Sequence, residues 1–255
     1  MDPHDAPLPH PHLRSGVAVK ITLFAPCFVD GLYPDVGKGV VAVLERLGHE
    51  VVFPPAQTCC GQPAFNTGYW REARAMAGHF LDVFSDAEII VCPSGSCVSM
   101  VRTHYPELFA GGARERQAGE VASRTFELTE LLADRLGVTD VGARFAAKVT
   151  WHDGCHALRD LGVRSAPRRL LGAVKDLQLV EAPGESCCGF GGTFAVKFPH
   201  ISTGMDENKV EALLGTGAAY VASADSTCLM QIGGLLARRS AAMKTIHIAE
   251  ILASC

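Results

Sequence analysis

Gln57-Thr58-Cys59-Cys60-Gly61 and Glu185-Ser186-Cys187-Cys188-Gly189 are two copies of one motif, a cysteine pair closed by glycine. The copies lie 128 residues apart, and the same offset carries Cys27 onto Cys155. A fourth cysteine, Cys97, maps onto Cys228 with an offset of 131. Eight of the ten cysteines therefore sit on a repeated grid. Thiols used as small core hydrophobes have no reason to keep two adjacent pairs at equal offsets. Thiolate sulfur is a soft ligand suited to iron–sulfur clusters and to zinc. The chain reads as a tandem repeat of one metal-binding module.

The repeat divides the 255 residues into a first cysteine-rich domain at 16–140 and a second at 141–255. Each is long enough to bury its own core. Ahead of them, residues 1–15 carry four prolines and three histidines with no periodicity, which predicts a disordered tail. In the first repeat, strands are expected at Val17–Phe24, Glu50–Phe53 and Glu88–Val91. Helices are expected at Gly39–Leu47, Pro63–Phe84 and near Ser123–Leu136. The second repeat offers strands at Lys148–Trp151, Asp176–Val180, Ala219–Ala222 and Thr245–Ile248. Its helices fall at Pro167–Val174, Ile201–Leu214 and Thr227–Arg238, with a short one from Ala249. Alternating strands and helices imply an α/β fold, two Rossmann-like parallel-sheet modules related by a pseudo-twofold repeat. On this plan every gridded cysteine lies just past a strand. Open parallel sheets bind ligands beyond the carboxyl ends of their strands. The fold can thus gather four thiols that the sequence scatters.

Net charge is −4, and no long basic run is present, so nucleic acid is not an expected partner. No apolar stretch approaches the ~20 residues that span a bilayer. Met1–Arg14 lacks the apolar core of a signal peptide, so a reducing cytoplasm is expected rather than a disulfide framework. Gly189-Phe190-Gly191-Gly192 does not extend to a dinucleotide fingerprint, because Phe194 stands where the third glycine belongs. No nucleophile elbow surrounds Ser94 or Ser96.

Beyond the cysteines, the stretches 57–66, Pro93-Ser94-Gly95-Ser96-Cys97, His152-Asp153-Gly154-Cys155-His156 and 187–197 resemble the lactate utilization protein A family. That family is part of the tandem Cys-Cys-Gly iron–sulfur proteins. Related modules occur in glycolate oxidase and anaerobic glycerol-3-phosphate dehydrogenase iron–sulfur subunits, and in heterodisulfide reductase. The resemblance covers roughly residues 17–254. It implies an electron-transfer subunit of a system oxidising L-lactate to pyruvate, an oxidoreductase component active with its partners. Those partners are lactate utilization protein B, a ferredoxin-like iron–sulfur protein, and lactate utilization protein C, with a peripheral link to the respiratory chain. Catalytic residues stay unassigned.

The wider motif ends in Cys-x-x-Cys, but here Met100 and Gln231 occupy the fifth-ligand positions. Four thiolates per repeat match a 4Fe–4S cubane better than a five-thiolate non-cubane cluster. The expected metal ligands are Cys27, Cys59, Cys60 and Cys97, then Cys155, Cys187, Cys188 and Cys228. One 4Fe–4S cluster per domain, or zinc in one of them, satisfies the set. Other functions compatible with the pattern are a heterodisulfide-reductase-like thiol–disulfide subunit, a subunit oxidising glycolate or another 2-hydroxy acid, and a zinc-stabilised scaffold. Gly61 and Gly189 are expected to turn the backbone tightly and to aim amides at cluster sulfurs. His152 and His156 flank Cys155 and are candidates to ligate, to move protons or to donate to sulfur; the first repeat has no such histidines. Cys92 stands near the first set as a replacement ligand or a buried structural thiol. Arg102, Arg159 and Lys197 are candidate anion holders or solvated charges. Cys255 lies off the grid as a free thiol.

Overall fold

The computed structural model describes residues 18–255. The expected tail at 1–15, with His4, His10 and His12, lies outside these residues, as do the first two residues of the first repeat. Four strands make the first sheet: β1 (Lys20–Leu23), β2 (Glu50–Val52), β3 (Ile90–Cys92) and β4 (Thr125–Glu127). Four more make the second: β5 (Lys148–Trp151), β6 (Gln178–Glu181), β7 (Tyr220–Ser223) and β8 (Lys244–His247). All pairings are parallel, and the orders are β2-β1-β3-β4 and β6-β5-β7-β8. The repeat extends to register, since Lys20 opposes Glu50 and its counterpart Lys148 opposes Gln178. In each sheet the chain first adds a strand on one side of the opening strand and then crosses to the other. The order reverses between β1 and β3, and between β5 and β7. Ligands of open parallel sheets settle at such a reversal.

Two expected helices come out differently. The stretch Pro63–Phe84 is two helices, Gln62–Asn66 and Trp70–Val83. Gly68, at φ 87°, sits between them in the left-handed region and stops the first. The stretch near Ser123–Leu136 opens with β4 and turns helical from Leu128. Its three strand residues are all buried against β3, and so short an apolar run carries no period of its own. Glu127 marks the true boundary: its carboxylate accepts from the amides of Thr129 at 2.7 Å and Glu130 at 3.2 Å.

The largest core is shared by the two repeats. Ile21, Val40, Leu44 and Leu131 of the first belong to one buried cluster with Val149, Leu170, Ile248 and Leu252 of the second. Its tightest seam joins helix Pro34–Arg46 to the last helix, Ile248–Ala253. Gly39 permits the approach, because a Cβ there would lie 2.9 Å from the Ala249 carbonyl oxygen. Arg46 closes the seam by donating to the carbonyls of Val141, Leu252 and Ala253. A separate cluster around Phe24, Phe80, Phe84 and Tyr105 fills the outer face of the first sheet. Val210, Val221, Ile232 and Leu236 fill that of the second.

Near the carboxyl ends of the strands, helix Gly95–Ser99 crosses helix Cys155–Arg159. A Cβ on Gly95 would stand 2.4 Å from that of Ala157. Glycine is required at this crossing, and it brings the two cysteine-bearing edges face to face.

Candidate metal centre

Each cysteine of the first set owes its place to the end of a strand. Cys27 opens helix Cys27–Leu32 after β1, Cys59 and Cys60 occupy the loop after β2, and Cys97 lies on the helix after β3. Gln57 ties two of these loops together: it accepts from the Ala25 amide at 2.7 Å and donates to the Leu23 and Pro54 carbonyls. Cys60 and Cys97 meet at 3.5 Å between sulfurs. Cys59 hydrogen-bonds to both Cys27 and Cys60. Those two thiols stabilise the Cys59 thiolate and pull its pKa down to about 3, against the opposing effect of burial. Their own pKa values rise, chiefly because they supply hydrogen bonds to neighbouring thiolates. Cys97 is lowered in the same way, by Cys60 and by Cys92. Sulfurs packed this closely cannot all ionise at once. The arrangement has the negative charge and soft donors that a thiophilic metal takes up in place of protons.

The second set repeats the geometry. Cys155 opens its helix after β5, Cys187 and Cys188 follow β6, and Cys228 lies on helix Ser226–Arg238 after β7. Cys155 and Cys187 are 3.9 Å apart. Hydrogen bonding with Cys155 and Cys188 lowers the Cys187 pKa to about 2. Cys228 receives a hydrogen bond from Cys188, which lowers its pKa, yet burial and the Asp225 charge leave it raised.

Both motif glycines take the left-handed backbone region. Gly61 has φ 85° and Gly189 φ 84°. Each amide points back at a sulfur, Gly61 to Cys59 and Gly189 to Cys187, both at 3.4 Å. His152 is fully buried, and neither ring nitrogen has a hydrogen-bond partner among the described residues. Its ligand atom lies within 4.8 Å of the Cys188 and Cys228 sulfurs. Burial, together with the Lys209 charge, lowers its pKa to about 4 and keeps the ring neutral, the form that binds metal. His156 sits at the rim, with Nδ1 2.7 Å from an Asp160 oxygen that also accepts from Ser99.

All eight gridded cysteines line one cavity of about 390 Å³ between the repeats, which His156 also lines. Two sets at two sheet edges are legible in the sequence; their opening into a common space is not. Asp225 is a further residue that sequence reasoning misses. It is 2% exposed and reaches across the boundary, accepting from Ser94 Oγ at 2.7 Å, Ser96 Oγ at 2.9 Å and the Ser96 amide at 3.3 Å. The available signal is its place three before Cys228, where the first repeat has Ser94 three before Cys97. Cys92 is fully buried, touches Cys97 and does not line the cavity. Arg102 forms a bidentate pair with Glu130 at 2.8 and 2.9 Å, and Lys197 is solvent-exposed. Cys255 is an exposed free thiol beside Arg46.

The donor set suits a metal group on two counts. The sulfurs of both sets line one cavity, and the buried His152, whose ring nitrogens have no partner among the described residues, groups with Cys188 and Cys228 within 4.8 Å. Contacts of 3.5 and 3.9 Å bracket the edge of a tetrahedral thiolate site, about 3.8 Å for Zn–S bonds of ~2.3 Å. The neighbouring cavity gives the thiols room to spread around a larger cluster.

A cysteine-rich domain model, CCG, matches residues 21–102 and 149–233. Lactate utilization protein A of an Exiguobacterium species is 50% identical over 237 residues, 91% of this chain and 96% of that protein. Its namesake in Oceanobacillus iheyensis is 47% identical over 236 residues, 92% of this chain and 96% of its own. The Bacillus subtilis protein is 48% identical over 238 residues, 92% of this chain and all of its own. Among the described residues no helix is long and apolar enough to cross a membrane.

Proposed function

Since the chain belongs to the CCG cysteine-rich family and to its lactate utilization protein A relatives, we propose that it is an iron–sulfur electron-transfer subunit of a system oxidising L-lactate to pyruvate. The observation that carries the reading is the convergence of two four-cysteine sets on one cavity. Cys27, Cys59, Cys60 and Cys97 would hold one 4Fe–4S cluster, and Cys155, Cys187, Cys188 and Cys228 another. Such clusters supply one-electron steps at potentials tuned by charge, hydrogen bonding and exposure.

The chain's own residues do the rest. The Gly61 and Gly189 amides donate to ligand sulfurs and steady them. Cys60 and Cys188, each 2% exposed, anchor the sets away from water. Cys27 is exposed and lies at the cavity edge, where a redox partner can approach. Partners of this reading are lactate utilization proteins B and C, and its setting is the cytoplasm.

A second reading, a zinc site in one repeat, is favoured by the sulfur spacing and by the His152–Cys188–Cys228 grouping. Iron, sulfide and zinc per chain after anaerobic purification, with EPR of the reduced protein, separate the two. About eight irons with matching sulfide supports the relay with two cubanes. Iron in one repeat beside zinc makes the other repeat structural. Zinc without iron overturns electron transfer. Deleting the gene should abolish growth on L-lactate and spare growth on pyruvate.

A further inference from the structure

A second cavity, about 410 Å³, adjoins the second cysteine set, and Cys155 and Cys187 line both spaces. Four cations and three carboxylates face it. The carboxylates are all engaged. Arg164 bonds to Glu185. Arg168 grips Asp153 at 2.8 and 2.9 Å and Glu181 at 2.8 and 3.0 Å. Arg159 and Lys209 are left over: neither makes a hydrogen bond or an ion pair within 4 Å among the described residues. Arg159 is exposed at the mouth, whereas Lys209 is only 4% exposed. The Lys209 ammonium therefore reaches the cavity without a hydrogen-bonded counter-ion, a charge that an anion entering there would pair.

We propose that this cavity binds a small organic carboxylate between the Arg159 guanidinium and the Lys209 ammonium. A guanidinium presents paired donors that match both carboxylate oxygens, and an ammonium adds a compact charge. The mixed polar lining, including the Arg168–Asp153 pair, accommodates hydroxyl or oxo groups as well. The ligand would lie against Cys155 and Cys187. The choice of L-lactate and pyruvate as probes rests on the lactate-oxidation reading; the anion class does not. The competing role for Lys209 is to balance Asp153 and the thiolates of Cys188, Cys187 and Cys228, whose charges it feels. That role predicts altered metal content with unaltered anion binding.

The test is titration of the full-length, anaerobically purified protein with L-lactate and with pyruvate, read by calorimetry. Trp151 lines the cavity and donates to Asp153 at 2.7 Å, so its fluorescence is a second readout in a Trp70→Phe background. Saturable binding is expected, weakened on the order of tenfold by Arg159→Gln and by Lys209→Met. Arg159→Gln alters an exposed side chain, so the test survives if Lys209→Met fails to fold. Three results overturn the site: no saturable heat, an equal response to chloride at matched ionic strength, or parental affinity in Arg159→Gln. Iron and sulfide are assayed on the same samples. Binding without iron keeps this site and removes the electron relay; iron without binding removes this site and keeps the relay.

Discussion

Gly61→Ala and Gly189→Ala form a matched pair, because the repeat has set one backbone problem in two different surroundings. Their φ values, 85° and 84°, are nearly the same. A left-handed alanine costs about 1–2 kcal/mol in either place. The space around the new methyl is not the same. At Gly61 it would meet Met76 Cβ at 3.3 Å and the Ala73 carbonyl oxygen at 3.4 Å, tight contacts that small shifts relieve. At Gly189 it would stand 2.5 Å from the Ser202 carbonyl oxygen and 3.0 Å from Met205 Cβ. Ser202 cannot easily retreat. It lies inside helix Pro199–Leu214, its hydroxyl donates to the Gly189 carbonyl at 2.8 Å, and Gln231 donates to that hydroxyl at 3.1 Å. Overpacking of this kind adds about 1–3 kcal/mol. The expected losses are therefore about 1–2 kcal/mol for Gly61→Ala and about 2–5 kcal/mol for Gly189→Ala. At ~2–4 °C per kcal/mol for a chain of this size, the overpacking makes the second variant melt about 2–12 °C below the first. Anaerobic thermal scans, with metal content measured on each sample, provide the comparison. Equal losses, or a larger loss at Gly61, would refute the reasoning.

Asp225→Asn removes a buried charge that accepts three hydrogen bonds across the repeat boundary. A loss of about 1–3 kcal/mol is expected, and an unchanged urea midpoint counts against it. Gln57→Ala breaks three hydrogen bonds, two of which pin the Cys59 loop to the end of β1, for about 2–4 kcal/mol. Metal content should fall with it, and full occupancy at parental stability contradicts this role. Asp206 is 1% exposed with both oxygens unpartnered, and burial raises its pKa from 3.8 to about 7. The folded state therefore holds this proton more tightly than the unfolded chain. Its contribution is complete below pH 3.8 and is lost as pH rises through 7. Asp206→Asn should stabilise the protein at both pH values, by about 1 kcal/mol at pH 8 after solvent screening and by roughly a third of that at pH 5, where the unfolded carboxyl is already ionised. An effect of equal size at both pH values would exclude burial of the charge as its source.

What the sequence discloses and what it withholds divide along physical lines. The cysteine grid needs only counting, and strand ends follow from short β-branched runs; β5 falls at Lys148–Trp151, as its sequence predicts. The meeting of the two cysteine edges depends on Gly39 against Ala249 and on Gly95 against Ala157. Those close approaches join residues with no local pattern in common, so periodicity cannot reveal them. Helix Pro199–Leu214 hides its inner face for another reason. Its buried positions include Ser202, Asp206 and Lys209 beside Val210 and Leu213, so hydrophobic spacing gives no warning that Lys209 points inward.

The repeat is more exact in its cysteines than in what surrounds them, and the second copy carries buried polar groups where the first has apolar or neutral ones. Phe24 and His152 occupy equivalent positions at the ends of β1 and β5. Phe24 packs edge-on against Phe80 and Phe84 at 4.9 and 5.7 Å, sealing the first set behind an aromatic layer. His152 instead puts two unsatisfied nitrogens among the sulfurs of the second set. Ser94 has Asp225 as its counterpart, which exchanges a neutral cap for a buried charge. Lys209 and the cation-rich cavity also belong to the second repeat. Unequal shells would give two bound clusters unequal potentials, since charge, hydrogen bonding and exposure set them. An aromatic-backed first repeat beside a polar, charged second repeat suits the proposed relay with unequal potentials, the second set lying where the proposed small anion reaches its sulfurs.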